Sequence, residues 1–325
     1  MYRTSAAPAA RVPRAAPALR LERVVHRVFP AGTSRIDDAF SVRHFTDIAG
    51  EYGRAYRPDL AAAGAGNTFA SMARALVESL GPDAAEVGVA VVAHAAPDLD
   101  CRYAATTYLS EAWPHGPLAF GLSEQGGATP FTALRVATEY VRRHGLRQAL
   151  VLILDQGTLP YDTEGAVPAG DAGVALLLSA DEAPGVRPRV RQLPGVAPGE
   201  VRDLLAEELR PYGGDVTVVA GAGIEPGRDL PAGLAEVRET GKGFPCTALW
   251  AHLAGEGPAG LPARLTAGRP AGEGPAGEPA GLSAGLPAGR PLVLAEYDPV
   301  GADFGVCVVE PEAAPVPLQG WEAVR

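Results

Sequence analysis

The residues best placed to do chemistry lie in one stretch, Leu118 to Asp155, which reads LAFGLSEQGGATPFTALRVATEYVRRHGLRQALVLILD. A short apolar run enters a tight turn, Ser123-Glu124-Gln125-Gly126-Gly127, and a buried helical pattern follows it. Turn amides converge where a strand bends sharply into a helix, and such a corner suits an acyl oxyanion or a phosphate. Gly126 and Gly127 let a ligand approach the backbone closely, and Gln125 beside them is a third candidate binding residue. Glu124 stands at the head of the helix as a candidate general base, although a carboxylate there is also simply good dipole electrostatics. Ser123-Glu124 does not make the Gly-x-Ser-x-Gly elbow of hydrolases.

Other reactive side chains are scattered. His94, Asp98 and Asp100 follow the apolar run VGVAVVA, at the end of a strand where ligand sites gather in open α/β sheets. His94 is therefore taken as a candidate binding residue. As a metal trio, H-x3-D-x-D in a loop is permissive rather than diagnostic, so neither a metal nor a cofactor is assigned. Cys246 follows Pro245 at a helix start, where a thiol can have a lowered pKa, but core packing is the simpler role for it. His94 and His115 are lone histidines with no third partner readable from spacing.

These groups need elements to hold them. In the central block Pro130 suits a first helical position with Thr129 as its cap; Leu134, Ala137 and Val141 recur at helical spacing, and Gly145 stops the helix. Strands are expected over Leu21–Phe29, Val87–Ala93, Leu118–Leu122, Gln148–Leu154, Gly173–Ser179, Val216–Ala220, Pro291–Glu296 and Phe304–Val309. Helices are expected over Thr68–Leu80, Tyr103–Trp113, Gly199–Gly214, Leu230–Glu239 and near Thr247–Leu253, while residues 36–65 give no readable pattern. The order strand, turn, helix, two strands recurs in the second part, so the chain reads as a duplicated α/β unit. Its parts are a flexible tail (1–19), a first half (20–181), a Pro- and Arg-rich connector (182–198) and a second half (199–325). The Gly, Ala and Pro run 254–290 is too poor in apolar surface to offset its chain entropy, and is expected to be a disordered excursion.

The chain has 325 residues, 47% of them apolar, enough for a large core. A formal charge of −10 argues against nucleic acid or an anionic membrane as the main partner. No run of about 18 apolar residues exists, so no membrane span is expected. Three widely spaced cysteines, Cys101, Cys246 and Cys307, fit a reducing cytoplasm, where each is most simply a small buried residue.

Three blocks carry a family resemblance. The turn and helix after Leu118 resemble the nucleophile segment of ketosynthase III enzymes of the thiolase superfamily; GDAGVALLL (Gly170 to Leu178) is similar to the family's Gly-Asp-Gly-Ala-Gly-Ala strand; and PLVLAEYDPVGADFGVCVVE resembles its closing hairpin. The likeness runs from about Arg20 to Glu310. It implies a five-layer α/β/α/β/α fold with two similar halves, and a place in bacterial secondary-metabolite biosynthesis. The family uses a cysteine, a histidine and an asparagine. Here the positions facing the cysteine are Gln125, Gly126 or Gly127; Ala220 or Gly221 replaces the histidine, and Lys242 stands where the asparagine would be. The resemblance thus implies a ketosynthase III-like chain without the catalytic triad, with Gly221 as a binding position and Lys242 as an anion-binding or basic group.

Two functions follow as expectations. One is an acyltransferase that binds an acyl thioester on CoA or an acyl carrier protein and moves the acyl group without a cysteinyl intermediate, through turn amides and Glu124 or Lys242. The other is a non-catalytic partner of an active ketosynthase, as chain-length-factor subunits are. Either is expected to work as a homodimer or as a heterodimer with a ketosynthase. The enzyme should keep a closed, polar-tipped pocket at Gly126, Gly221 and Lys242, and the partner subunit should fill that cavity with large side chains.

Overall fold

The structure is a computed structural model and describes residues 19–163, 167–183, 185–254 and 290–310. The tail and the low-complexity excursion expected above lie, but for their boundary residues, outside the described residues. Ten strands are described: β1 (Arg20–Val28), β2 (Val87–His94), β3 (Leu118–Leu122), β4 (Gln148–Asp155), β5 (Ala172–Ser179), β6 (Arg189–Leu193), β7 (Thr217–Ala220), β8 (Glu236–Glu239), β9 (Leu292–Asp298) and β10 (Asp303–Val309). The helices are α1 (Ala39–Glu51), α2 (Pro58–Ala63), α3 (Phe69–Leu80), α4 (Ala105–Glu111), α5 (Thr129–His144), α6 (Val201–Leu209), α7 (Pro226–Asp229) and α8 (Ala248–Ala251).

The strands form two five-stranded sheets, ordered β1-β5-β4-β2-β3 and β6-β10-β9-β7-β8. Adding five to each label of the first order gives the second. The strand directions agree as well: β4-β2-β3 and β9-β7-β8 run parallel, and β5 and β10 are each antiparallel to both of their neighbours. The duplication inferred from element order is therefore a duplication of topology.

Period-2 alternation splits each central strand between two layers. Val89, Val91 and Ala93 of β2, with Val151 and Ile153 of β4, face a shared central core that also takes Val219, Leu292, Leu294 and Cys307 of the second sheet. Helix α5, through Phe131, Leu134, Ala137 and Val141, and α8, through Leu249 and Trp250, fill the space between the sheets. The opposite faces are covered on the first sheet by α3 and α4 and on the second by α6. This is the five-layer α/β/α/β/α arrangement expected, with α5 and α8 as its middle layer.

Several local expectations are corrected. Residues 36–65 contain α1 and α2; α1 is capped by Asp38, whose carboxylate accepts from the Phe40 and Ser41 amides. The connector contains β6, an edge strand made by pairing with β10. Leu230–Glu239 is not a helix: Pro231 and Gly233 (φ 85°) interrupt it, and its end pairs with β7 as β8. Thr129 is the first residue of α5 rather than its cap, and its hydroxyl donates to the Gly126 carbonyl at 2.9 Å. Gly145 does end α5 in the left-handed region, at φ 62°.

Candidate functional site

The turn between β3 and α5 is tightly wound: Gln125 leads into a 3-10 turn, Gly126–Ala128, closed by the Ala128 amide donating to the Gln125 carbonyl at 2.9 Å. Gly126 has φ 49°, and a methyl group there would stand 1.8 Å from Asp298 Oδ2. Only glycine satisfies both conditions. A methyl group on Gly127 would lie 3.1 Å from Glu296 Cγ and 3.1 Å from the Pro245 carbonyl oxygen. The corner is thus packed directly against the end of β9.

Glu296 is the dominant group there, and sequence reading missed it. It is the fifth of the seven residues of β9, a strongly apolar strand, and is only 3% exposed. Its Oε1 accepts from the amides of Gly223 (2.9 Å) and Tyr297 (2.9 Å), and its Oε2 from that of Ala222 (3.1 Å). Gly221 makes room for it, since a methyl group at that position would stand 2.1 Å from Glu296 Oε2. Burial pushes the carboxyl up to about 7 in spite of the three amides, which favour its charged form. The available signal was a carboxylate directly after the apolar run LVLA, in a strand that buries every side chain but that of Asp298.

A thiol sits beneath the same turn. Cys246 is fully buried, with Sγ 3.6 Å from the Gly126 carbonyl oxygen. Burial, reinforced by the nearby carboxylates of Asp155 and Glu296, pushes it well above the ordinary thiol range, so it stays protonated. The role is that of a small buried residue. Asp155, at the end of β4, accepts from the amides of Cys246 (3.1 Å) and Thr247 (2.8 Å) and from the Thr247 hydroxyl (2.7 Å), and burial raises it to about 6.

The remaining candidates are spread out. Glu124 is exposed, held at φ 69°, and accepts from the hydroxyl of Tyr52, the residue after α1, at 2.6 Å. Lys242 is exposed in a turn ahead of Pro245. Gln125 is half-buried and is engaged by the Thr132 hydroxyl. His94 is half-buried, hydrogen-bonded through Nδ1 to the Ala96 carbonyl (2.7 Å) and packed on Phe69 at 5.0 Å; burial lowers its pKa. Asp98 accepts from the amides of Phe69 and Asp100, and Asp100 from that of Arg102. Asp98 therefore holds the start of α3, and Asp100 a turn of its own loop. Among the described residues no group of three or more His, Cys, Asp or Glu is arranged to hold a metal ion. No helix among them is long and apolar enough to cross a membrane. Of the predicted binding positions, Gly127 and Gly221 lie against Glu296, and Gly126 lies against Asp298.

No protein-family model and no curated protein matches the sequence. Solved structures do match its fold. The tetronic acid condensing enzyme AbyA1 superposes with a TM-score of 0.55 at 13% identity, covering 90% of this chain and 99% of its own. The acyltransferase ChlB3 gives 0.53 at 17%, covering 91% and 98%. The 3-oxoacyl-[acyl-carrier-protein] synthase III of Aquifex aeolicus VF5 gives 0.52 at 11%, covering 90% and 99%. At these identities the likeness establishes the fold: this chain has the thiolase-like architecture of ketosynthase III-type condensing enzymes.

Proposed function

We propose that this protein is a ketosynthase III-like subunit of a biosynthetic system that has given up condensation through a cysteinyl intermediate and acts as the non-catalytic partner of an active ketosynthase. The observation that carries this reading is the Glu296 side chain seated between Gly127 and Gly221. An acyl carbonyl brought to the corner would compete with a carboxylate already bonded to three amides. The only thiol described beneath the turn, Cys246, is held protonated, and a thiol is a poor nucleophile compared with its thiolate. Glu124 and Lys242 lie at the surface, so acyl transfer through them would proceed in water rather than in a dry site.

The partner is joined through β3. Of the four sheet edges, β1, β6 and β8 carry charged residues, whereas β3 is Leu118-Ala119-Phe120-Gly121-Leu122 with none, and Leu118 is 50% exposed. An uncharged edge is the one suited to pairing with another chain. Antiparallel pairing there with a ketosynthase of the same fold would make a ten-stranded sheet, and the acyl chain would be delivered to the active subunit on CoA or an acyl carrier protein.

The test is intact-protein mass spectrometry of the isolated chain with acyl-CoA and acyl-carrier substrates, alongside co-expression with an active ketosynthase. No adduct, no turnover and a one-to-one complex are expected. Turnover by the isolated chain would overturn the partner reading in favour of acyl transfer.

A further inference from the structure

The polypeptide after β7 builds a receptor as well as a turn. Gly221, Ala222 and Gly223 follow the parallel strand, and the amides of Ala222 and Gly223 point with that of Tyr297 at one small volume. Two oxygens of a planar carboxylate fill it, one taking two amides and the other taking one. Gly221 leaves room for that group, since a methyl there would stand 2.1 Å from Oε2, while Gly223 is required by the backbone, since a methyl there would stand 1.7 Å from the Tyr297 carbonyl oxygen. Successive backbone N–H groups arranged in this way form an anion-binding concavity. Strands β7 and β9 are already paired by backbone hydrogen bonds, and Gly221 itself donates to the Ala295 carbonyl at 2.8 Å, so the loop does not need a buried charge to be tied down. A carboxylate pulled out of water to 3% exposure carries a desolvation cost that an apolar residue would avoid.

We propose that the amides of Ala222, Gly223 and Tyr297 form a binding site for a small monocarboxylate, which this chain keeps occupied with its own Glu296 as an autoinhibitory contact. The side chain acts as a tethered ligand, whose effective concentration is set by the chain and not by the free acid in solution. It bars other carboxylates and acyl oxygens from the corner. The inference concerns the same corner as the partner-subunit reading but does not require it: the assay below detects binding alone, whereas that reading stands or falls on turnover and complex formation.

The experiment compares the unaltered full chain with Glu296→Ala and Glu296→Gln at pH 8, using sodium acetate as probe and sodium chloride at equal ionic strength as control. Acetate should raise the melting temperature of Glu296→Ala saturably, by at least about 2 °C. It should leave the unaltered protein and Glu296→Gln, whose side chain still fills the site, unmoved relative to chloride. If Glu296→Ala folds and shows no acetate-specific shift, the site is not a carboxylate receptor and the proposal fails. It fails equally if all three proteins respond alike, since acetate would then be binding elsewhere. Should Glu296→Ala fail to fold by itself, refolding in acetate but not in chloride supports the proposal, and recovery in neither overturns it.

Discussion

The two halves share a strand order and differ in what they do with the same place. In each, the central strand of the sheet, β4 or β9, carries a buried carboxylate at its carboxyl end. Asp155 reaches across to the other half and takes the amides of Cys246 and Thr247 at the start of α8. Glu296 stays within its own half and takes the amides of the loop after β7, so that only the back of its side chain touches Gly127 of the first half. One carboxylate bolts the halves together, and the other fills the corner where they meet. Duplicated topology fixes where a polar group ends up, while the loop that faces it decides what it does. The middle layer is unequal in the same way, since α5 spans 16 residues and α8 only 4.

The comparison breaks most visibly at the bolt. Asp155→Ala would leave two buried amides and a buried hydroxyl without their acceptor, each costing about 1–3 kcal/mol. Loss of about 3 kcal/mol or more is expected in denaturant unfolding. Thr247→Val removes only the hydroxyl and should cost about 1 kcal/mol. Equal, small effects of the two substitutions would mean that Asp155 does not join the halves. Gly126→Ala attacks the corner itself, because the added methyl group meets Asp298 at 1.8 Å and the backbone is left-handed there. A loss of about 2 kcal/mol is expected from the strained backbone and displaced carboxylate. Gly145→Ala provides the control, being left-handed in open space, and should cost only about 1 kcal/mol.

Much of this frame was legible in the chain. The continuous apolar runs of β2 and β4 and the helical spacing of Leu134, Ala137 and Val141 depend on local pattern, and they matched. The misses depend on distant partners. β6, Arg-Val-Arg-Gln-Leu, is a strand because β10 lies beside it more than 100 residues later, and charged edge residues hide its alternation. Glu236–Glu239 has the composition of an exposed helix and becomes β8 only by pairing with β7. Helix α1 buries just Ser41, Phe45 and Ala49 and leaves Phe40 exposed, with Tyr52 exposed just after it, so the apolar residues do not mark one clean face. At the site, the glycines were readable because the turn demands them. Glu296 was not, since a carboxylate near a strand end reads as a solvent-facing residue until the loop after β7 is folded over it.

The contrast between the carboxylates sharpens with pH. Glu296 is raised to about 7 from an ordinary 4.5, so between these values the folded chain holds a proton that the unfolded chain has released. Stability from this group is therefore present in full below about 4.5 and falls as pH rises toward 7, by up to about 3 kcal/mol. Asp155, raised to about 6, acts with the same sign over a lower window. Glu296→Gln should flatten the decline between about pH 5 and 7, and leave the part due to Asp155 below 6, when unfolding free energy is measured across that range. An unchanged slope would show that Glu296 does not exchange its proton with folding.

The smallest effect on stability should accompany the largest on assembly. Leu118 begins β3, half exposed on the uncharged edge, and is paired in parallel register with Val89 on its other side. Leu118→Lys keeps the strand's backbone bonds to β2 and places a charge where a second chain would have to bury it. Surface substitutions of this kind move folding stability by about 0.5 kcal/mol or less, whereas a lysine on an edge strand opposes edge-to-edge pairing. Size-exclusion chromatography with light scattering should show an assembled species for the unaltered chain, alone or mixed with an active ketosynthase, and a monomer for Leu118→Lys at unchanged melting temperature. Val237→Lys on β8, an edge that already carries Glu236, Arg238 and Glu239, should leave assembly untouched. Dissociation by both substitutions would point to charge repulsion in general, and dissociation by Val237→Lys alone would move the interface to the second sheet.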